Sequence, residues 1–178
     1  MTTSFALALH TTTTKLELAI AQIDLNLDHN SDRNSQIYNT YKQQSWELGR
    51  ELSVQLHDCL NMFVGDILWK DFTFLAIATG IGSFTGTRIG VVVARTLAEQ
   101  LDIPLYGVNC ELIIARSQQS NPPMSLSESL LAIAYDQWQA GVYSNWQDVV
   151  PIYETWLTAN KQRYFLFMAV VRDPYHVF

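Results

Sequence analysis

The chain has 178 residues, 48% apolar and 16% charged, which excludes a disordered polypeptide and fits one domain, or one domain with a small appendage, burying roughly 70% of its unfolded surface. Its net charge of −6 works against unaided capture of a nucleic acid, which rests on lysine and arginine neutralising phosphates, so any RNA is expected to be held by a partner. The two cysteines, Cys59 and Cys110, are too few for a disulfide scaffold and match no zinc spacing; they read as reduced and buried.

The opening "MTTSFALALH" lacks a basic region followed by a long apolar stretch, and "YFLFMAVV" (164–171) is far short of the ~20 residues a membrane helix needs. No membrane contact is expected, and the cytoplasm is the expected location. "FALAL" (5–9), "HTTTT" and "KLELAIAQI" (15–23) read as a β-hairpin, with Leu16, Leu18 and Ile20 alternating against Glu17 and Ala19. The polar stretch 24–44 reads as a loop or as strands that periodicity does not separate. A helix is expected from about Trp46 to Phe63, where Leu48, Leu52, Leu56, Leu60 and Phe63 recur at helical spacing.

"FTFLAIATG" (72–80) is a buried strand ended by glycine, and "LYGV" (105–108), introduced by Pro104, is another. The helix expected between them, from about Ser83 to Leu101, makes a βαβ unit. Asn109 can cap a further helix, "ELIIARSQQ". "SNPPMSLSES" (120–129) reads as a linker, and "LLAIAY" (130–135) as one more buried strand. The pieces "VVPIYETWL" and "YFLFMAVV" read as a helix and a strand or as two loose segments. The sum is an α/β domain with a mixed sheet and helices on both faces.

"GIGSFTGTRIGVVVA" (80–94) raises a question, because each glycine inside a helix costs roughly 1 kcal/mol against alanine. A Walker-type phosphate loop needs a lysine that the stretch lacks, and the dinucleotide fingerprint needs glycine where Thr85 stands. Gly82, Gly86 and Gly90 recur every four residues and therefore lie along one helical stripe, a groove that lets a second helix approach closely. Spacing alone leaves open whether that helix belongs to this chain or to another. Arg88 and Arg95 share a face, and Glu99 is placed to pair with Arg95.

Residues 80–115, "GIGSFTGTRIGVVVARTLAEQLDIPLYGVNCELIIA", resemble the signature of the TsaB (YeaZ) family, in which G-x-G-S-F-T-G-x-R-x-G is followed by a small-residue helix and an "IP-x-x-G-V" strand. "FALALHTTTTKLELAI" is similar to that family's opening hairpin, "LLAIAY" to its strand in the second half and "VVPIYE" to its P-x-Y segment. The resemblance implies the ribonuclease H-like fold of the actin, sugar-kinase and Hsp70-ATPase group, with residues 1–119 as the first subdomain, a linker at 120–129, and residues 130–178 as the remnant of a truncated second subdomain. It further implies a non-catalytic subunit that pairs with the TsaD-like enzyme, which threonylcarbamoylates the adenosine beside the anticodon of certain tRNAs. A TsaE-like ATPase joins that pair, and a homodimer is possible when the partner is missing. Carried over residue by residue, Gly82, Ser83, Phe84, Thr85, Gly86, Arg88 and Gly90 are the implied partner-binding positions, with no catalytic residue, no metal ligand and no cofactor; ATP enters only in complex with partners.

Departures from the pattern point away from autonomous chemistry. His10 stands where the first strand of ATP-using members ends in aspartate, Tyr135 followed by Asp136 stands at the corresponding place in the second half, and His10, His29, His57 and His176 are scattered. The rival readings are a residual ATP-binding or peptidase-like enzyme resting on His10, Ser83 or Thr85, and a stand-alone homodimer using the glycine stripe on itself. Among single candidates, "HTTTT" reads as a polar turn or a phosphate-binding turn, and Ser83 as a helix cap or a nucleophile. His57 beside Asp58 reads as a solvated histidine or a base, and Cys110 at a helix start as a buried thiol or an activated one. Trp156, Tyr164, Phe165, Phe167 and Tyr175 read as core, protein contact or base-stacking surface.

Overall fold

In the computed structural model of the chain, residues 4–23 and 38–152 are described. Strands β1 (Ser4–His10) and β2 (Lys15–Ile23) form the expected antiparallel hairpin, and β3 (Tyr38–Glu47) adds to the outer side of β2. Strands β4 (Phe72–Ala78) and β5 (Leu105–Val108) continue the sheet on the other side of β1, both parallel, giving the order β3-β2-β1-β4-β5.

Alternation along the strands sorts the residues by size. Leu7, Leu9, Leu16, Leu18, Ile20, Leu75 and Ile77 face one core, which they share with helices α1 (Leu52–Val64) and α2 (Phe84–Leu101). Ala6, Ala8, Ala19, Ala21, Ala76 and Ala78 face the other, under helices α3 (Cys110–Gln119) and α4 (Leu126–Gln139). A side chain in a strand points opposite to its neighbours, so a Leu-Ala-Leu-Ala strand buried on both faces gives one thick core layer and one thin one. Over the thin layer a helix can sit close to the sheet, and there Leu130 and Leu131 of α4 are fully buried.

Several expectations are corrected. The segment "LLAIAY" lies within helix α4 and is not a strand. A six-residue apolar run has the same signature on a buried strand and on a buried helix, and here Ser125 and Glu128 close a capping box that starts a helix at Leu126. The connection after α3 is accordingly shorter than the expected 120–129 linker. Helix α4 packs with Leu130, Leu131 and Ala134 into the core under β1, β2 and β4.

The helix expected to start near Trp46 starts at Leu52. Trp46 pairs with Leu16 in the ladder and packs edge-on against Phe63 of α1 at 6.0 Å, so an apolar strand end and the helix it leads to share one face and blur into one pattern. Gly65, at φ +60° and ψ −126°, closes α1 in a conformation open only to glycine. Of the polar stretch 24–44, β3 takes 38 onward, and 24–37 lie outside the described residues. So do His29, His176, the tail aromatics and "YFLFMAVV".

Residues 146–148 form a 3-10 turn, after which Val149 packs on Gly107 and the Ile152 N–H donates to the Thr79 carbonyl at 2.7 Å. Among the described residues no helix is long and apolar enough to cross a membrane.

Candidate partner-binding site

The glycine-rich segment begins where β4 ends. Ser83 is the N-cap of α2: its hydroxyl accepts from the Gly86 N–H at 3.1 Å, and its carbonyl accepts from the N–H and the hydroxyl of Thr87, both at 2.8 Å. The Ser83 N–H in turn donates to the Thr12 carbonyl at 2.6 Å, tying the helix start to the β1–β2 turn. The serine thus occupies its cap, as one of its two sequence readings had it.

That turn fills the glycine stripe. A Cβ placed on Gly82 would lie 2.1 Å from the Thr12 carbonyl oxygen, on Gly86 2.3 Å from the Thr11 carbonyl oxygen, and on Gly90 2.0 Å from Thr11 Oγ1. The close approach for which the glycines were kept free of side chains is therefore made by the chain's own "HTTTT" turn. Gly86 and Gly90 are buried beneath that turn and form no ridge open to a foreign helix, while Gly82, ahead of the helix, is exposed on the side away from the turn.

The opposite face of α2 carries exposed side chains. Residues two positions from a glycine lie about 200° around the helix, so Phe84, Arg88 and Val92 form a second stripe with the same four-residue repeat. Phe84 is 56% exposed and Val92 62%, and the Arg88 guanidinium lies 3.9 Å from the centre of the Phe84 ring. Thr85 is exposed beside them. Val92 was not singled out from the sequence, although the half-turn offset from the glycines marks it among the three consecutive valines. Arg95 makes no ion pair with Glu99; its guanidinium lies 5.7 Å from the centre of the Trp146 ring. Among the described residues the ion pair present is Arg116–Asp136, 3.3 Å apart across α3 and α4, between half-exposed side chains and therefore of small energetic weight.

The other candidates divide by burial. His10 ends β1 with 2% of its surface exposed, Nε2 3.3 Å from Thr12 Oγ1 and Nδ1 without a partner. Burial lowers its pKa to about 4, so at neutral pH the ring is uncharged and offers a phosphate no cation. Thr11 and Thr12 are likewise buried and face α2 and Cys110, leaving Thr13 and Thr14 as the exposed part of the turn.

Cys110 is buried with Sγ 3.1 Å from Thr12 Oγ1. Cys59 belongs to the opposite core, so the sheet separates the two free thiols, and burial together with the Asp58 charge pushes the Cys59 thiol up. His57 is exposed on α1. Tyr135 and Asp136 lie within α4 and not at a strand end; burial raises the Asp136 carboxyl and Arg116 opposes it. Among the described residues no three His, Cys, Asp or Glu side chains gather as metal ligands would.

A mixed five-stranded sheet that opens on a hairpin, crosses over through α2 and carries helices on both faces defines an α/β protein. Residues 50–129 match the family model described as TsaD, tRNA N6-adenosine threonylcarbamoyltransferase. The chain is 44% identical over 54 residues to the tRNA threonylcarbamoyladenosine biosynthesis protein TsaB of Bacillus subtilis, a match covering 30% of this chain and 21% of that protein. It is 38% identical over 50 residues to the TsaB of Buchnera aphidicola, covering 28% and 24%.

Among solved structures, YeaZ from Pseudomonas aeruginosa superposes with a TM-score of 0.61 at 15% identity, over 84% of this chain and 99% of that one. A protein described by its similarity to peptidase YeaZ of the same organism gives 0.63 at 16% identity with the same coverage. The matched stretch thus spans about a fifth to a quarter of the curated relatives' length, while the likeness of fold extends over most of the chain. Over its middle part the chain is thus similar in sequence to TsaB proteins, and over most of its length it shares the fold of YeaZ.

Proposed function

We propose that the chain is a non-catalytic accessory subunit in the formation of tRNA threonylcarbamoyladenosine, and that it pairs with a TsaD-like enzyme through the outer face of α2. The observation that supports this reading most is the double stripe: the inner one is clamped on the hairpin turn, while the outer one carries the exposed side chains of Phe84, Arg88 and Val92. Aromatic and arginine side chains are enriched at protein interfaces, and an exposed Arg-on-Phe stack is a surface of that composition. In this reading Ser83, Phe84, Thr85 and Arg88 meet the partner. Gly82, Gly86 and Gly90 act indirectly, by seating the helix that carries them.

A buried, uncharged His10 and a Ser83 engaged in capping speak against the residual-enzyme alternative. The chain needs no cofactor of its own in this account, and ATP enters with the TsaD-like and TsaE-like partners. The test is reconstitution of tRNA modification with the same organism's enzymes. Modification should depend on adding this chain and should fall when Val92→Asp replaces it. Full activity without the chain removes the proposal, and ATP or peptide hydrolysis by the chain alone supports the enzymatic alternative.

A further inference from the structure

We draw no further inference here: the strongest candidate, the groove between the β1–β2 turn and the first turns of α1 and α2, lined by Thr13, Thr14, Arg50, Leu52, Thr85 and Ile89, rests on helix N-termini and an exposed arginine, and nothing in the structure shows what occupies it.

Discussion

Gly90→Ala separates the two meanings of the glycine stripe by the sign of its effect. Were the stripe open to solvent or to an absent partner, alanine would improve the helix by about 1 kcal/mol, the difference in propensity between the two residues. The structure predicts the reverse. The new Cβ would lie 2.0 Å from Thr11 Oγ1 and 3.0 Å from both Cβ and Cγ2 of the same residue, so turning the threonine side chain moves the hydroxyl and methyl but leaves the Cβ contact in place. Thr11 is fully buried and its carbonyl abuts Gly86, so the turn cannot give way at one point without disturbing the other.

Overpacking of this kind costs about 1–3 kcal/mol, and at its upper end the helix gain leaves a net loss of about 2 kcal/mol. Urea unfolding followed by circular dichroism would read this as a lower midpoint at unchanged slope. Thr11→Ala removes the two atoms that Gly90→Ala strikes besides Cβ, so the double variant should recover most of the loss, a coupling that distant sites do not produce. A Gly90→Ala protein more stable than the parent would refute the packing argument outright.

Three further outcomes follow from the same geometry. Val92→Asp, on a side chain 62% exposed, should change folding stability by no more than about 0.5 kcal/mol while weakening association with the TsaD-like enzyme at least tenfold, read by calorimetric titration. His10 has its pKa lowered to about 4 in the folded chain against 6.5 unfolded, so the unfolded chain binds the extra proton first. Stability should therefore be complete above pH 6.5, fall by roughly 3 kcal/mol between pH 6.5 and 4 through this residue, and level off below; His10→Gln should flatten that part of the profile. Leu131→Ala should cost about 2–5 kcal/mol in thermal or urea unfolding, because α4 belongs to the main core, whereas a separately folded remnant would lose its own transition and leave the rest unchanged.

The sequence carried the hairpin, the βαβ unit and both helix caps at Ser83 and Asn109, because alternation, a glycine-ended strand and side-chain caps are local signals. It did not carry the state of "LLAIAY", since a short buried run reads alike as strand or helix. The S-x-x-E pattern of Ser125 and Glu128 just ahead of it was the signal that could have decided the matter. The four-residue glycine repeat correctly announced a close approach but not by what: the contacting atoms belong to Thr11 and Thr12, some seventy positions away, and no local rule connects them. What the repeat did contain was the outer stripe, since fixing 82, 86 and 90 inward fixes 84, 88 and 92 outward by helical geometry alone. The burial of His10 was not legible either, because it depends on the elements packed around the end of β1.

Sedimentation velocity of the chain mixed with the same organism's TsaD-like enzyme, with and without Phe84→Asp, tests the central claim most directly. A one-to-one complex for the parent chain, lost or strongly weakened in a Phe84→Asp variant that remains folded, is the expected result. A parent chain that sediments apart from the enzyme, or a variant that pairs as tightly as the parent, would contradict it.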